Sequence, residues 1–433
     1  MNITQFTMEE VRCFSERQTL EIRPLTFLVG ENSTGKTTAL ACFHVLANFL
    51  RGNGVDFNSD PYSMGTFKDI VRNNKKKEKN FKLGFTAKYN DEDIGETIEF
   101  VEKKAGVEPI INSITLKLAD GEIIVRSEDA MGRELRLDAF DEKQNQYRIV
   151  CDTDRLNEYS LFFFFPPFIR ESEGEIVFKK YFNKKTEKLG CGPWDIFRDM
   201  SVFSTSPVRS RPKRTYDPTR EFDDPEGSDV PMHLMRIEAT QKQNWEALRT
   251  QLVEFGRDSG LFESIDIKNF GRSLGAPFQL QVKVRGPKAN ITDVGYGVSQ
   301  ILPILVQILN PSVSKNDQHT TRSFFSLLQQ PEIHLHPRAQ AEFSSLLIEL
   351  ANKGDQSFIV ETHSDYMLDR ARIEIRNGNI RPEDVSLIYF EPKGRVVKVH
   401  NISFDKMANM VGVPSHYGKF FLKETNRLMG FED

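Results

Sequence analysis

The residues with the most explicit chemistry are Gly30-Glu-Asn-Ser-Thr-Gly35-Lys36-Thr37, which fit the phosphate-cradling pattern GxxxxGK[ST] without a mismatch. Such a loop turns backbone N–H groups, and the N-terminus of the helix that follows, toward the β- and γ-phosphates of a nucleotide. Lys36 adds a point charge, and the Thr37 hydroxyl is suited to ligate Mg²⁺. Gly30, Asn32, Ser33, Thr34, Gly35, Lys36, Thr37 and Thr38 are therefore the expected contacts of a nucleoside triphosphate, ATP. The setting fits: Leu25-Thr-Phe-Leu-Val29 reads as a buried strand, and Thr38–Leu50 repeats its apolar residues at helical spacing.

Three later motifs extend the site. Ser323–Pro337 is an apolar strand ending in Gln329-Gln330-Pro331-Glu332, where a P-loop protein places its Mg²⁺ and water-handling groups. Phe358-Ile-Val-Glu-Thr-His-Ser-Asp365 is another strand ending in polar residues, and His363 there is placed to contact a γ-phosphate or, as the plainer alternative, to be a structural histidine. Asp293-Val-Gly-Tyr-Gly-Val-Ser-Gln300 opens a helix over Val298–Leu309. Its glycines, Gly295 and Gly297, leave backbone amides open at a helix N-terminus, a second anion site.

The elements that must hold these residues come from both ends of the chain. From Phe278 onward the pattern alternates strand and helix: Phe278–Val284, Gly297–Leu309, Phe324–Leu328, Arg338–Ala351, Phe358–Glu361 and Tyr366–Arg376. This alternation predicts parallel strands with crossover helices. Residues 1–72 and 275–400 are read as one discontinuous α/β head, with 73–274 inserted between them. The insert holds an antiparallel meander over 81–151, an irregular basic and Phe-rich segment over 152–230, and a helix near 231–256; a helical tail is expected over 401–433.

Composition narrows the classes. The chain has 433 residues and a net charge of −4, so any nucleic-acid contact must come from a local patch. Its 34 Phe against two Trp predict bulky packing between layers. The four cysteines show no CxxC spacing, which argues against a zinc site or disulfide framework and fits a reducing cytosol. The N-terminus lacks a signal-peptide layout, and the longest apolar run, Leu161–Phe168, is too short and proline-broken to span a bilayer. The expectation is a cytoplasmic protein without membrane attachment.

Taken in order, the P-loop, the glycine-containing segment, the strand running into Pro331-Glu-Ile-His-Leu-His-Pro337 and Thr362-His-Ser364 resemble the ABC-type ATPase head. Within that class the chain resembles the group of SMC, RecF and the OLD-like ATPases of prokaryotic defence systems, and in particular compact ATPases such as the PtuA subunit of Septu. The resemblance implies an α/β head with a mixed sheet, crossover helices and an antiparallel β layer, plus an inserted α+β region. It also implies a homodimer or higher even oligomer, with Gly295 and Gly297 of one copy closing over ATP held by the other. The implied role is an ATP-gated switch that controls a separately encoded nuclease effector. A RecF-like repair factor that clamps DNA is the alternative. An autonomous nuclease and a transporter ATPase fit the residues less well.

Two departures stand out. Gly295 occupies the position where the family presents a serine to the partner's γ-phosphate. Gln329 and Gln330 stand where the family carries two carboxylates, one for Mg²⁺ and one as general base. An amide is a poorer ligand for a hard cation and cannot accept the attacking water's proton. The expectation is tight ATP binding with slow hydrolysis, with Thr37 and Gln329 on the metal and Gln330, Glu332 and His363 nearest the chemistry.

Smaller signals have bland readings beside them. His334 and His336 form an HxH spacing but lack a third ligand, so a turn-shaping role is favoured over a metal. Arg209, Arg211, Lys213 and Arg214 form a basic cluster able to neutralise phosphates of DNA, though such runs are more often solvated faces and Glu221–Asp229 dilutes this one. Lys75–Lys79 reads as a hairpin tip. Ser59–Asp69 lies where the family couples nucleotide to the inserted region.

Overall fold

The computed structural model describes residues 2–418 apart from 52, 75–78, 90–91, 103–107, 119–120, 128–133, 142–145, 153–199, 219–223, 272–274, 311–322, 355 and 416. The Phe-rich run, the basic stretch 179–188, most of the Lys75–Lys79 cluster and the end of the expected tail lie outside the described residues.

Two large sheets enclose one helix. The first has the order β2-β1-β4-β5-β6-β7-β8-β9 and is antiparallel throughout: β1 Asn2–Glu9, β2 Gln18–Glu21, β4 Asn80–Tyr89, β5 Glu92–Glu102, β6 Pro109–Leu118, β7 Gly121–Ser127, β8 Glu134–Asp141 and β9 Gln146–Asp152. The second has the order β10-β14-β15-β3-β16-β17-β18. In it β10 Met200–Ser204, β14 Ser323–Gln329, β15 Gln356–Glu361, β3 Leu25–Gly30 and β16 Val385–Lys393 run parallel, while β17 Val396–Phe404 and β18 Met410–Val411 are antiparallel additions. The expected α/β class, a mixed sheet with crossover helices beside an antiparallel layer, is what the chain adopts.

Helix α1, Lys36–Leu50, lies between the sheets and is buried on almost every side. Phenylalanine does the filling: the Phe43 ring meets Phe6 at 5.4 Å and Phe85 at 4.8 Å on the antiparallel side, and Phe325 of β14 at 5.5 Å on the other. The second core lies on the opposite face of the parallel sheet, under α3 Val230–Thr240, α4 Lys242–Ser259, α5 Tyr296–Leu309, α6 Pro337–Asn352 and α7 Asp365–Arg376. A short turn of helix, α2 Phe67–Ile70, closes the segment before β4.

One charge interrupts the first core. On β5 the inward residues are Ile94, Glu96, Ile98 and Phe100, and Glu96 is 2% exposed with both carboxylate oxygens unpartnered among the described residues. Burial pushes its carboxyl up to about 8. The folded state therefore holds a proton that the unfolded chain releases near 4.5, and the associated stability, full at lower pH, is lost as pH rises to about 8. Glu96→Gln should raise Tm at pH 8 by several degrees, with the gain shrinking toward pH 5; melting curves at the two pH values check it, and an equal effect at both would contradict the burial argument.

Several local expectations change in three dimensions. The strand at Phe278 belongs to a separate three-stranded antiparallel sheet, β11 Ser264–Asn269, β12 Phe278–Lys283 and β13 Lys288–Asn290, and not to the parallel one. The helix expected near 231–256 is two, broken at Gln241, where φ −137° and ψ 62° leave the helical region. Residues 401–411 begin with strand, so the expected helical tail does not start there. The insert is also no separate body: β4–β9 extend the sheet that β1 begins, and β10 forms the edge of the parallel sheet.

Candidate nucleotide site

The loop between β3 and α1 is shaped by its own sequence. Gly35 caps α1 with φ +88°, and a Cβ there would meet the Phe14 ring at 2.7 Å and Cys13 Sγ at 2.8 Å. Gly30 has φ +148°, and a Cβ there would lie 2.8 Å from the Phe390 carbonyl oxygen. Only glycine satisfies both the dihedral and the space. Thr34 is buried and donates its hydroxyl to the Glu31 carbonyl at 2.8 Å, holding the turn, while Asn32 and Ser33 are exposed above it. Lys36 Nζ donates to the carbonyls of Gly30 at 3.0 Å and Glu31 at 2.7 Å, so the ammonium sits inside the loop where phosphate oxygens would replace those acceptors. Burial lowers its pKa, partly offset by Glu361. Thr38 departs from expectation: it is 7% exposed, and its hydroxyl accepts from Arg12 Nη1 at 3.2 Å.

The neighbouring strand ends complete the floor. Gln329 is 3% exposed; its N–H donates to Thr205 Oγ1 at 3.1 Å, and its carbonyl accepts from Arg209 at 3.2 Å. Its side chain adjoins the Tyr62 hydroxyl, which also adjoins Ser204. Ser204 Oγ is in turn 2.8 Å from His44 Nδ1 of α1. Gln330 has φ 42°, and its N–H donates to the Glu361 carbonyl at 2.8 Å. Glu332 is 8% exposed, and its Oε1 accepts the His363 backbone N–H at 2.7 Å, fixing the turn between β15 and α7, while Oε2 has no hydrogen-bond partner among the described residues. The His363 side chain is exposed, and desolvation with Lys36 nearby lowers its pKa, so the ring is neutral at pH 7. It opens on a cavity of about 1120 Å³ that Gly30, Glu31, Arg372 and Tyr389 also line. Lys36 and Thr37 do not line it, so this space adjoins the phosphate cradle without being it.

One functional candidate was missed. Thr37 Oγ1 lies 2.8 and 3.1 Å from the two carboxylate oxygens of Glu361, the last residue of β15. The signal was a charged residue closing the apolar run Phe358-Ile-Val. Burial raises the Glu361 pKa, while Thr37 and Lys36 pull it back. A hydroxyl beside a carboxylate is an all-oxygen donor set, which fits Mg²⁺.

The two glycines expected to form a second anion site differ in their surroundings. Gly295 caps α5 with φ −54° and ψ 137°, is exposed, and has no atom within 4 Å of a Cβ built on it. Gly297 is required for packing, because a Cβ would meet the His334 carbonyl at 2.7 Å. His334 also packs edge-on against Tyr296, and His336 accepts the Arg338 N–H at the start of α6, so both histidines shape the turn.

One member of the basic cluster turns inward. Arg209 is 3% exposed and bonds the carbonyls of Gln329 and Gln330, because its guanidinium is drawn to the open ends of β14. Arg214 pairs with Asp293, one Nη lying 2.9 Å from Oδ2, and so anchors the segment before Gly295. Arg211, Lys213 and Arg214 remain exposed. In the coupling segment, Arg12 bonds the carbonyls of Met64 at 2.9 Å and Asp69 at 3.2 Å as well as Thr38, tying 59–69 to α1.

The sequence matches, over residues 25–369, the family described as "AAA domain, putative AbiEii toxin, Type IV TA system". The chain belongs to this family. The match to this AAA-domain family opens at Leu25, the first residue of β3, and runs into α7, so it takes in the phosphate loop, α5 and both strand ends. A P-loop ATPase of this kind is the assignment that follows. No curated protein matches in sequence. Among solved structures, the chain is similar to an SMC head bound to the C-terminal winged-helix domain of ScpA, with TM-score 0.43 and 13% identity over 94% of this chain and 99% of that one. It is similar to the SMC head domain from Thermotoga maritima, with TM-score 0.40 and 12% identity over 92% and 98%. A Pyrococcus furiosus Smc head with an extended coiled coil, bound to the C-terminal domain of ScpA, gives 0.41 and 11% over 93% and 96%. Among the described residues no helix is long and apolar enough to cross a membrane.

Proposed function

We propose that the chain is an ATP-gated dimerising switch in a prokaryotic defence complex, binding ATP with Mg²⁺, hydrolysing it slowly and controlling a separately encoded nuclease. The observation that carries the dimer is Gly295. It sits at an open helix N-terminus with nothing packed on it, beside Tyr296, which is 44% exposed. Such a tip offers N–H groups and a favourable dipole to an anion brought by a second copy. ATP held by Lys36 and Thr37 of one protomer is then an interfacial ligand, and it favours the closed dimer only by binding that state more tightly. The family's mention of a toxin–antitoxin system supports a defence setting; the nuclease rests on the sequence resemblance. The RecF-like alternative draws less support, since Arg209 is buried against the Gln329 and Gln330 carbonyls and Arg214, though exposed, is paired with Asp293.

Gly295→Arg tests the reading without disturbing the fold, because the backbone there suits any L-residue and the space is empty. Light scattering should give a dimer for the wild type with ATP and Mg²⁺, a monomer without them, and a monomer for the variant in both conditions at unchanged Tm. A variant that dimerises like the wild type would contradict the proposal.

A further inference from the structure

We propose that Glu361, and not Gln329 or Gln330, is the metal-side carboxylate of this site: the acid absent from the end of β14 is supplied by the end of the adjacent strand, β15. The inference rests on the ATP–Mg²⁺ reading of the loop.

Register makes the relocation possible. In the parallel pair β14–β15, Gln329 lies opposite Glu361, so both reach the same edge of the sheet. β15 is also the strand that pairs with β3, which carries the phosphate loop. A carboxylate on β15 therefore stands one strand nearer to Thr37 than one on β14. Both Glu361 oxygens bond the Thr37 hydroxyl, the group through which a P-loop holds its metal.

The two candidate positions differ in what their side chains offer. Gln329 is a buried neutral amide whose Nε2, a donor that no cation can use, has no hydrogen-bond partner among the described residues, and its backbone is fixed by Thr205 and Arg209. Glu361 is 5% exposed, and among the described residues its carboxylate has Thr37 as its hydrogen-bond partner and no ion pair within 4.0 Å. Lys36, the nearest cation, is spent on the Gly30 and Glu31 carbonyls. A buried carboxylate with one neutral partner keeps lone pairs free and gains most from a cation placed against it. Hard divalent cations take such oxygens by preference. The Gln pair then removes the general base without removing the metal, which separates ATP capture from ATP breakdown.

The test is Mn²⁺ titration followed by electron paramagnetic resonance, with the non-hydrolysable analogue AMP-PNP present, beside calorimetry of AMP-PNP binding in EDTA. Glu361→Gln, which keeps the shape, should weaken Mn²⁺ binding by roughly tenfold or more and leave analogue binding in EDTA unchanged. Adding Gln329→Asp to that variant should recover Mn²⁺ affinity, which also guards against a folding artefact. Wild-type Mn²⁺ affinity in Glu361→Gln overturns the assignment alone. Equal loss of analogue binding with and without metal also overturns it, since that marks a purely structural role. A wild-type chain that binds no AMP-PNP in either condition overturns the ATP reading as well.

Discussion

Lys36→Ala should weaken ATP binding by roughly a hundredfold, equivalent to about 3 kcal/mol, while the protein still folds. Lys36 is 3% exposed, and its ammonium makes two hydrogen bonds, both to carbonyls of its own loop. ATP would exchange those neutral acceptors for charged phosphate oxygens, and hydrogen bonds to charged groups are the stronger ones. Removing the lysine therefore costs the nucleotide far more than it costs the loop. Calorimetry and a thermal melt of the same sample measure the two effects together. Wild-type affinity in the variant would mean that nucleotide does not occupy this loop.

Gln330→Glu should raise turnover by roughly 10- to 100-fold, because it places a proton acceptor where the site has an amide. The position is held from both sides: its N–H donates to the Glu361 carbonyl at 2.8 Å, and its own carbonyl accepts from Arg209 at 3.4 Å. A well-placed base is worth ~10²–10⁴ in rate, and the smaller figure expected here reflects the buried carboxylates of Glu361 and Glu332 nearby. Like charges raise the pKa of the introduced acid and keep part of it protonated. Single-turnover phosphate release measures the effect. Turnover equal to or below that of the wild type would show that the missing base is not what slows the site.

Much of this was readable from residue order, and the failures share a cause. The phosphate loop announces itself because its constraints are local: two glycines, a lysine and a threonine within eight residues, between a strand and a helix. Alternation of apolar and polar residues along the chain made the meander legible for the same reason. Pairing partners are not local. The run Phe278–Lys283 has strand periodicity whichever sheet takes it, and only its register with Ser264–Asn269 assigns it to the small one. Met200–Ser204 is too short to stand out within an irregular stretch, although it forms an edge of the central sheet.

The site shows the same division. Arg209 looked like part of a surface charge run because three other cations surround it in sequence, yet it is drawn 120 residues away to the Gln329 carbonyl. Glu332 is four residues from His336 in a motif that suggests catalysis, and one of its carboxylate oxygens holds the His363 N–H while the other has no hydrogen-bond partner among the described residues. Glu361 was in plain view as the polar end of an apolar strand. Its meaning appears only when β15 is seen between β14 and β3, which no pattern within β15 can disclose.

The shared site is tested most directly by mixing two inactive chains. Lys36→Ala holds ATP roughly a hundredfold more weakly, so its own loop stays empty at ATP concentrations well below its Kd, and Gly295→Arg cannot close over ATP held by its partner. In a mixed dimer one of the two sites joins an intact Lys36 to an intact Gly295. The account predicts that each variant alone is inactive and that mixing them restores partial ATP turnover together with nucleotide-dependent dimers. No recovery from two folded variants, or full turnover by Gly295→Arg alone, would contradict it.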